Sequence, residues 1–192
     1  MNLPNKLTVL RFILTPVFMI FLMLEFKFHF LIAMIIFILA SITDYFDGKI
    51  AREQNLVTNF GKFLDPIADK MLTTAAYLGF CALGIGYGTV WILFIVLLRE
   101  FVVTSVRLAA SDNGKVVAAN FWGKLKTVVQ MVAIITTLFF CFVMNTFTSL
   151  PGAICLALEI IYSVLLWISA ILTLIAGVTY IIDNKEFINF NK

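Results

Sequence analysis

An all-α membrane protein with six transmembrane helices is the fold class this sequence predicts, and three observations predict it. First, 62% of the 192 residues are hydrophobic, and the mean hydropathy is +1.04. A soluble chain of this length cannot bury that much apolar side chain. Second, only 13% of residues are charged, about half the share usual in a soluble domain. Third, the apolar residues gather into six long runs. The same composition excludes disordered, collagen-like and disulfide-rich classes. Cys81, Cys141 and Cys155 lie in apolar runs without C-x-x-C spacing, so buried thiols acting as small hydrophobes are expected.

A helix crossing a hydrocarbon core about 30 Å thick needs about 20 mostly apolar residues. Span 1 is expected over residues 7–24, too long and without the cleavage pattern for a signal peptide. Span 2 covers 28–50 and span 3 covers 63–83, and both carry acids at one end. Span 4 covers 90–110, after a glycine-rich break. Span 5 covers 122–144, and span 6 covers 152–182. The sixth is long enough to tilt or to extend beyond the bilayer. No internal repeat appears, and a single domain over 1–192 is expected.

Orientation follows from the placement of Lys and Arg. Six spans put the N-terminus, the second and fourth connections and the C-terminus on one side. Of the 14 Lys and Arg, all but Lys27 fall on that side, counting helix ends. Loops 84–89 and 145–151 on the other side carry none. Both termini are therefore expected to be cytoplasmic. The net charge of +3 is mild and fixes no partner by itself.

The acids break the hydrophobic pattern. Asp44, Asp47, Asp65 and Asp69 lie within 26 residues, at the cytoplasmic ends of spans 2 and 3. A carboxylate inside a span costs a few kcal/mol, so each needs water or a cation. Asp44 and Asp47 are three apart and Asp65 and Asp69 four apart, so each pair shares a helix face. A short connection suggests that spans 2 and 3 are antiparallel neighbours with acidic faces at one depth. Like charges so placed repel unless protonated or bridged by metal. An all-oxygen set suits Mg²⁺, Mn²⁺ or Ca²⁺ and not zinc. Mg²⁺ commonly shares its shell with substrate phosphates, which points to a phosphate-bearing substrate. Gly48, Ala51 and Gly61 leave room on these faces for a ligand or a neighbouring helix. Arg52 offers a planar fork suited to phosphate. Asp65 precedes Pro66 and is also a helix N-cap candidate.

In order these residues read Asp44-Tyr-Phe-Asp47-Gly48-Lys-Ile-Ala51-Arg52, eight residues, then Gly61-Lys-Phe-Leu-Asp65-Pro-Ile-Ala-Asp69. The pattern resembles the signature of the CDP-alcohol phosphotransferase family, D-x-x-D-G-x-x-A-R followed by G-x-x-x-D-x-x-x-D, at every fixed position. Three further segments resemble the branch of bacterial phosphatidylglycerophosphate synthases. They are Asn2-Leu-Pro-Asn-Lys-Leu-Thr-Val-Leu-Arg11, Arg99-Glu-Phe-Val-Val-Thr-Ser-Val-Arg107 and Gly123-Lys-Leu-Lys-Thr-Val-Val-Gln-Met131.

The resemblance implies a transferase of phospholipid biosynthesis. An acceptor hydroxyl attacks the β-phosphorus of CDP-diacylglycerol and CMP leaves. With glycerol 3-phosphate as acceptor, the product is phosphatidylglycerophosphate. The resemblance assigns Asp44, Asp47, Asp65 and Asp69 to binding two divalent ions, Mg²⁺ or Mn²⁺. It gives Asp69 the added role of base and places Gly48, Ala51, Arg52 and Gly61 at the CDP site. It also implies a homodimer in the cell membrane, active at the cytoplasmic face, with no nucleic-acid partner. The acceptor phosphate needs cations, and Arg99, Arg107, Lys115, Lys124 and Lys126 are the candidates around the fourth connection. Arg99 is equally readable as an ion-pair partner of Glu100, as is Arg107, seven residues beyond Glu100 on nearly the same face.

Two other readings compete. One is the same chemistry with another acceptor, such as inositol phosphate, serine or a second lipid. The other is a small cation transporter, which predicts acids near mid-bilayer and repeat symmetry; this cluster is one-sided. Smaller expectations complete the reading. His29 is expected to be wet or snorkelling near the outer interface. Asn5 and Thr8 are N-cap candidates, with contact to a nucleotide phosphate as the alternative. Glu159 lies in span 6 with no evident local partner, and residues 187–192 look like a short interfacial tail.

Overall fold

The computed structural model describes residues 3–53, 59–112 and 121–185, which form six α-helices with no strand among them. In order these are α1 (Leu3–Met23), α2 (His29–Glu53), α3 (Asn59–Ala82), α4 (Thr89–Asp112), α5 (Phe121–Thr146) and α6 (Gly152–Asp183). Each expected span falls on one helix. Several helices run a few residues further, because a helix continues into polar flanks that hydropathy does not mark.

Among the described residues, four segments are long and apolar enough to cross a membrane: Asn5–Met23, Thr89–Ala110, Phe121–Thr146 and Gly152–Asp183. A shorter apolar segment, His29–Thr43, is described in α2. At 1.5 Å per residue, α6 with its 32 residues is about 48 Å long, well beyond a bilayer core.

The packing is that of a protein in lipid. The centre holds Phe18, Phe37, Tyr77, Phe80, Ile134, Leu138 and Leu166, interleaved with Ala33, Ala40, Ala76 and Ala170. Small residues bring helices close where no hydrophobic effect drives association. Large apolar side chains face outward instead, such as Trp91, Phe94, Leu98, Phe101 and Leu108 along α4. Polar bonds tie helices together inside: Tyr77 of α3 lies 3.0 Å from the Ser169 hydroxyl of α6. Such bonds contribute about 0.6 kcal/mol each.

α1 packs on both α2 and α3; α5 packs on α6 and α2; and α4 packs on α6 and α3. The Phe18 and Phe37 rings join α1 to α2, with centroids 5.6 Å apart. Gly79 joins α1 to α3: a Cβ there would lie 2.3 Å from Leu22 Cδ2. Few contacts between α2 and α3 fall among the described residues. The antiparallel pairing expected of their signature-bearing ends lies largely outside the described residues.

Connections 24–28, 83–88 and 147–151 are short. Asn145 Nδ2 donates to the Lys27 carbonyl at 3.2 Å, tying the first of them to the C-terminal end of α5. Gly84 and Gly88 take φ of 66° and 68°, which side chains rarely adopt. His29 is 7% exposed, its Nδ1 3.3 Å from the Leu22 carbonyl and its ring 3.9 Å from Phe30. It is not the wet side chain expected; a backbone acceptor and an aromatic stack hold it inside. Cys141 is buried, Cys81 and Cys155 are half-buried, and all three are free thiols.

Two cap readings are corrected. α1 begins at Leu3, so Thr8 lies in its second turn and Asn5 in its first, and both face inward. α3 begins at Asn59, so Asp65 sits inside the helix instead of capping it. Residues 187–192 lie outside the described residues.

Candidate active site

The signature residues are placed by their backbone. Asp44, Asp47, Gly48, Ala51 and Arg52 lie in the C-terminal half of α2, and Gly61, Asp65 and Asp69 lie in the N-terminal half of α3. The Asp and Arg side chains lie outside the described residues, and so does all of Lys115. Both half-helices belong to the end of the bundle opposite connections 24–28 and 83–88. α1 enters the same end and packs on both. Its buried polar residues there are Asn5, Thr8, Arg11 and Thr15, the last three at most 3% exposed. Their spacing of three to four places them on one face. Of this polar stripe, Asn5 and Thr8 were expected as caps or, alternatively, as contacts to a nucleotide phosphate, and Arg11 and Thr15 were not singled out as site residues. Its signal was present, because four polar residues at helical spacing inside a span invite explanation.

One residue beyond Asp69, Lys70 opens onto a cavity of about 550 Å³. Its lining includes Lys70 and Thr73 of α3, Arg99, Glu100, Thr104 and Arg107 of α4, and Lys124, Lys126 and Gln130 of α5. Four of the five candidate cations thus line one pocket. Such a volume suits a small metabolite.

Glu100 organises the cations. Its carboxylate takes Arg99 Nη1 at 2.9 Å, Lys126 Nζ at 2.5 Å and Lys70 Nζ at 3.6 Å. Lys70 Nζ also donates to the Thr104 hydroxyl. Three helices therefore contribute a cation to one carboxylate. The ion-pair reading of Arg99 is correct, and the residue still faces the pocket. Arg107 turns elsewhere: its Nε lies 3.3 Å from Tyr180 Oη of α6, with the guanidinium 5.7 Å from the ring centroid. Lys70 and Glu100 were not among the acceptor-site candidates, although Lys70 directly follows the last aspartate.

Adjacent residues on a helix do not face each other, so Arg99 must curve to reach Glu100. Gly177 of α6 allows this: a Cβ there would lie 2.9 Å from Arg99 Cγ. Gly177→Ala is expected to displace that stem. Overpacking of this kind costs about 1–3 kcal/mol of stability, so a lower melting temperature is expected. Displacing a cation of the pocket should also raise the KM of the anionic substrate, which steady-state kinetics at a temperature where the variant stays folded check.

The chemistry of the donors fits hard divalent cations. Four carboxylates at two helix ends supply only oxygen ligands. Among the described residues no group of three or more His, Cys, Asp or Glu offers another metal centre.

Comparison with known proteins agrees with this arrangement. The profile of the CDP-alcohol phosphatidyltransferase family matches residues 1–175. A CDP-diacylglycerol–glycerol-3-phosphate 3-phosphatidyltransferase of Bacillus subtilis (strain 168) is 38% identical, with 96% of each chain covered. The protein of that name from Rickettsia typhi is 34% identical over 93% of this chain and 94% of its own. A probable phosphatidylglycerophosphate synthase of Mycobacterium tuberculosis (strain H37Rv) is 44% identical over 69% of this chain and 64% of its own. With its signature at one end of a helical bundle and a family profile covering most of its length, the chain belongs to the CDP-alcohol phosphatidyltransferase family.

Proposed function

We propose that this protein transfers the phosphatidyl group of CDP-diacylglycerol to glycerol 3-phosphate, forming phosphatidylglycerophosphate and CMP. One observation carries the reading: the family signature ends at Asp69, and the next residue, Lys70, begins a basic pocket of about 550 Å³. Donor and acceptor sites are thus contiguous on α3. The named relatives use glycerol 3-phosphate, and the pocket has the positive charge that a phosphate monoester requires.

In this reading, Arg99, Arg107, Lys124 and Lys126, joined by Lys70, hold the acceptor phosphate. Lys115 belongs to the same candidate set. Gly48, Ala51, Arg52 and Gly61 line the CDP site. Asp69 accepts the proton of the attacking hydroxyl. A new bond forms from that oxygen to the β-phosphorus, and the bond to the CMP oxygen breaks, its electron pair leaving with CMP. Catalysis is then chiefly positioning and charge neutralisation. Asp44, Asp47, Asp65 and Asp69 would hold two Mg²⁺ or Mn²⁺ ions, which when bound supply the positive charge that the pyrophosphate needs.

The same proposal includes six spans with both termini cytoplasmic and the site at the cytoplasmic face of the cell membrane. The one-sided distribution of Lys and Arg supports this. The homodimer rests on the family resemblance, and cross-linking in native membranes tests it.

Purified protein assayed with CDP-diacylglycerol and a panel of acceptors, with and without EDTA, tests the function. CMP release is expected with glycerol 3-phosphate alone, and none in EDTA. Release with inositol phosphate or serine instead would replace the acceptor; no release with any of them would return the transporter reading. Arg107→Ala should raise the KM for glycerol 3-phosphate about tenfold, the scale of one charge-assisted hydrogen bond. An unchanged KM removes Arg107 from the pocket.

A further inference from the structure

The cationic pocket contains an acid, and in an anion site that needs a reason. Glu100 lies among three cations, and each oxygen of its carboxylate is used: Oε1 by Arg99 and Lys126, Oε2 by Lys70. Removing it would take from Arg99 and Lys126, both with side chains only 10% exposed, the counter-charge they share. Without the carboxylate, the three cations would repel one another.

The charges also count. Among the described residues, three cations share one carboxylate. A phosphate monoester carries about −1.5 to −2 near neutral pH. Arg107 and Lys124 are exposed and stand at the rim. One further observation points to a ligand. Arg99 Nε is buried, and no acceptor among the described residues reaches it. A buried donor left unpaired is costly, and a phosphate oxygen would satisfy it.

We propose that Glu100 is the positioning residue of this pocket, holding Lys70, Arg99 and Lys126 convergent and offsetting part of their charge, so that the site takes a phosphate monoester. The proposal rests on the reading of the pocket as the acceptor-phosphate site. Glu100 need not touch the substrate; it acts through the three cations. It also sets a preference: without its charge, the site favours anions more highly charged than a monoester.

The test uses the full chain in detergent micelles. Glu100→Gln removes the charge at nearly constant shape, and Glu100→Asp keeps it. In metal-free protein, calorimetry measures binding of inorganic phosphate and of pyrophosphate. Kinetics with Mg²⁺ give KM and kcat for each substrate. Glu100→Gln should lower kcat/KM for glycerol 3-phosphate tenfold or more and leave the KM for CDP-diacylglycerol within twofold. Its preference for pyrophosphate over phosphate should rise tenfold or more. Glu100→Asp should recover most of the wild-type behaviour. A fall in activity with unchanged anion preference means a merely structural role and overturns the proposal, as does wild-type behaviour. If Glu100→Gln does not fold, Lys126→Met supplies the opposite change in charge. Preference must then move toward phosphate, and a shift in the other direction or none overturns the proposal. Competition in the wild type separates the two levels. If inorganic phosphate competes with glycerol 3-phosphate but Glu100→Gln leaves preference unchanged, this inference alone fails. If phosphate does not compete, the pocket reading fails, and a shifted preference still establishes the positioning role.

Discussion

Asp69→Asn is expected to abolish turnover while CDP-diacylglycerol binding is largely retained. The amide matches the carboxylate in shape and can still take part in hydrogen bonds, but it cannot accept a proton from an attacking hydroxyl. General-base contributions run to about 10²–10⁴ in rate, so kcat should fall about 10³-fold. Of the four acids, Asp69 is the one next in sequence to Lys70. Its neighbour Lys70 reaches into the basic cavity, with Nζ on Thr104 and 3.6 Å from Glu100. Consecutive Cα atoms lie about 3.8 Å apart. An acceptor whose phosphate rests on Lys70 therefore has its hydroxyl end close to this part of the α3 backbone. Single-turnover release of CMP in purified protein, together with retained binding of the lipid nucleotide, measures the effect. Near-normal turnover would end the base assignment.

The helices and the acidic signature were legible in the sequence for different reasons. Runs of apolar residues identify helices because the bilayer imposes a length, and each of the six runs coincides with one helix. The signature was legible because charge inside a span is costly and must be explained. What the sequence does not carry is which side chains meet across helices. Glu100 reads as a neighbour of Arg99; nothing in the linear order brings Lys70 and Lys126 to the same carboxylate. The notch at Gly177 is visible only when α4 and α6 are packed. Packing across helices was not legible either: a missing Cβ at Gly79 of α3 gives Leu22 of α1 its seat, and Asn5, Thr8 and Arg11 of α1 are buried. Read locally, the first two looked like caps or contacts to a nucleotide phosphate, and the third like an ordinary basic residue at a membrane face.

The acids of α2 carry the second large effect. Asp44→Asn is expected to raise the Mg²⁺ or Mn²⁺ concentration needed for half-maximal activity tenfold or more and to lower the maximal rate with it. A neutral amide oxygen is a poorer ligand for a hard cation than a carboxylate, and Mg²⁺ binds through few protein ligands, so each counts. Asp44 begins the signature and lies three residues before Asp47, on one face of α2. Losing either acid leaves its partner to hold the charge alone. Direct binding of Mn²⁺, followed by its paramagnetic resonance signal in protein without lipid substrate, separates lost ligation from lost catalysis. Asp69→Asn offers the contrast, since loss of a base reduces turnover at saturating metal and shifts the titration less. An unchanged titration for Asp44→Asn would remove it from the ligand set. The divalent ions would then have to be held by Asp47 and the α3 acids, an arrangement harder to reconcile with two ions.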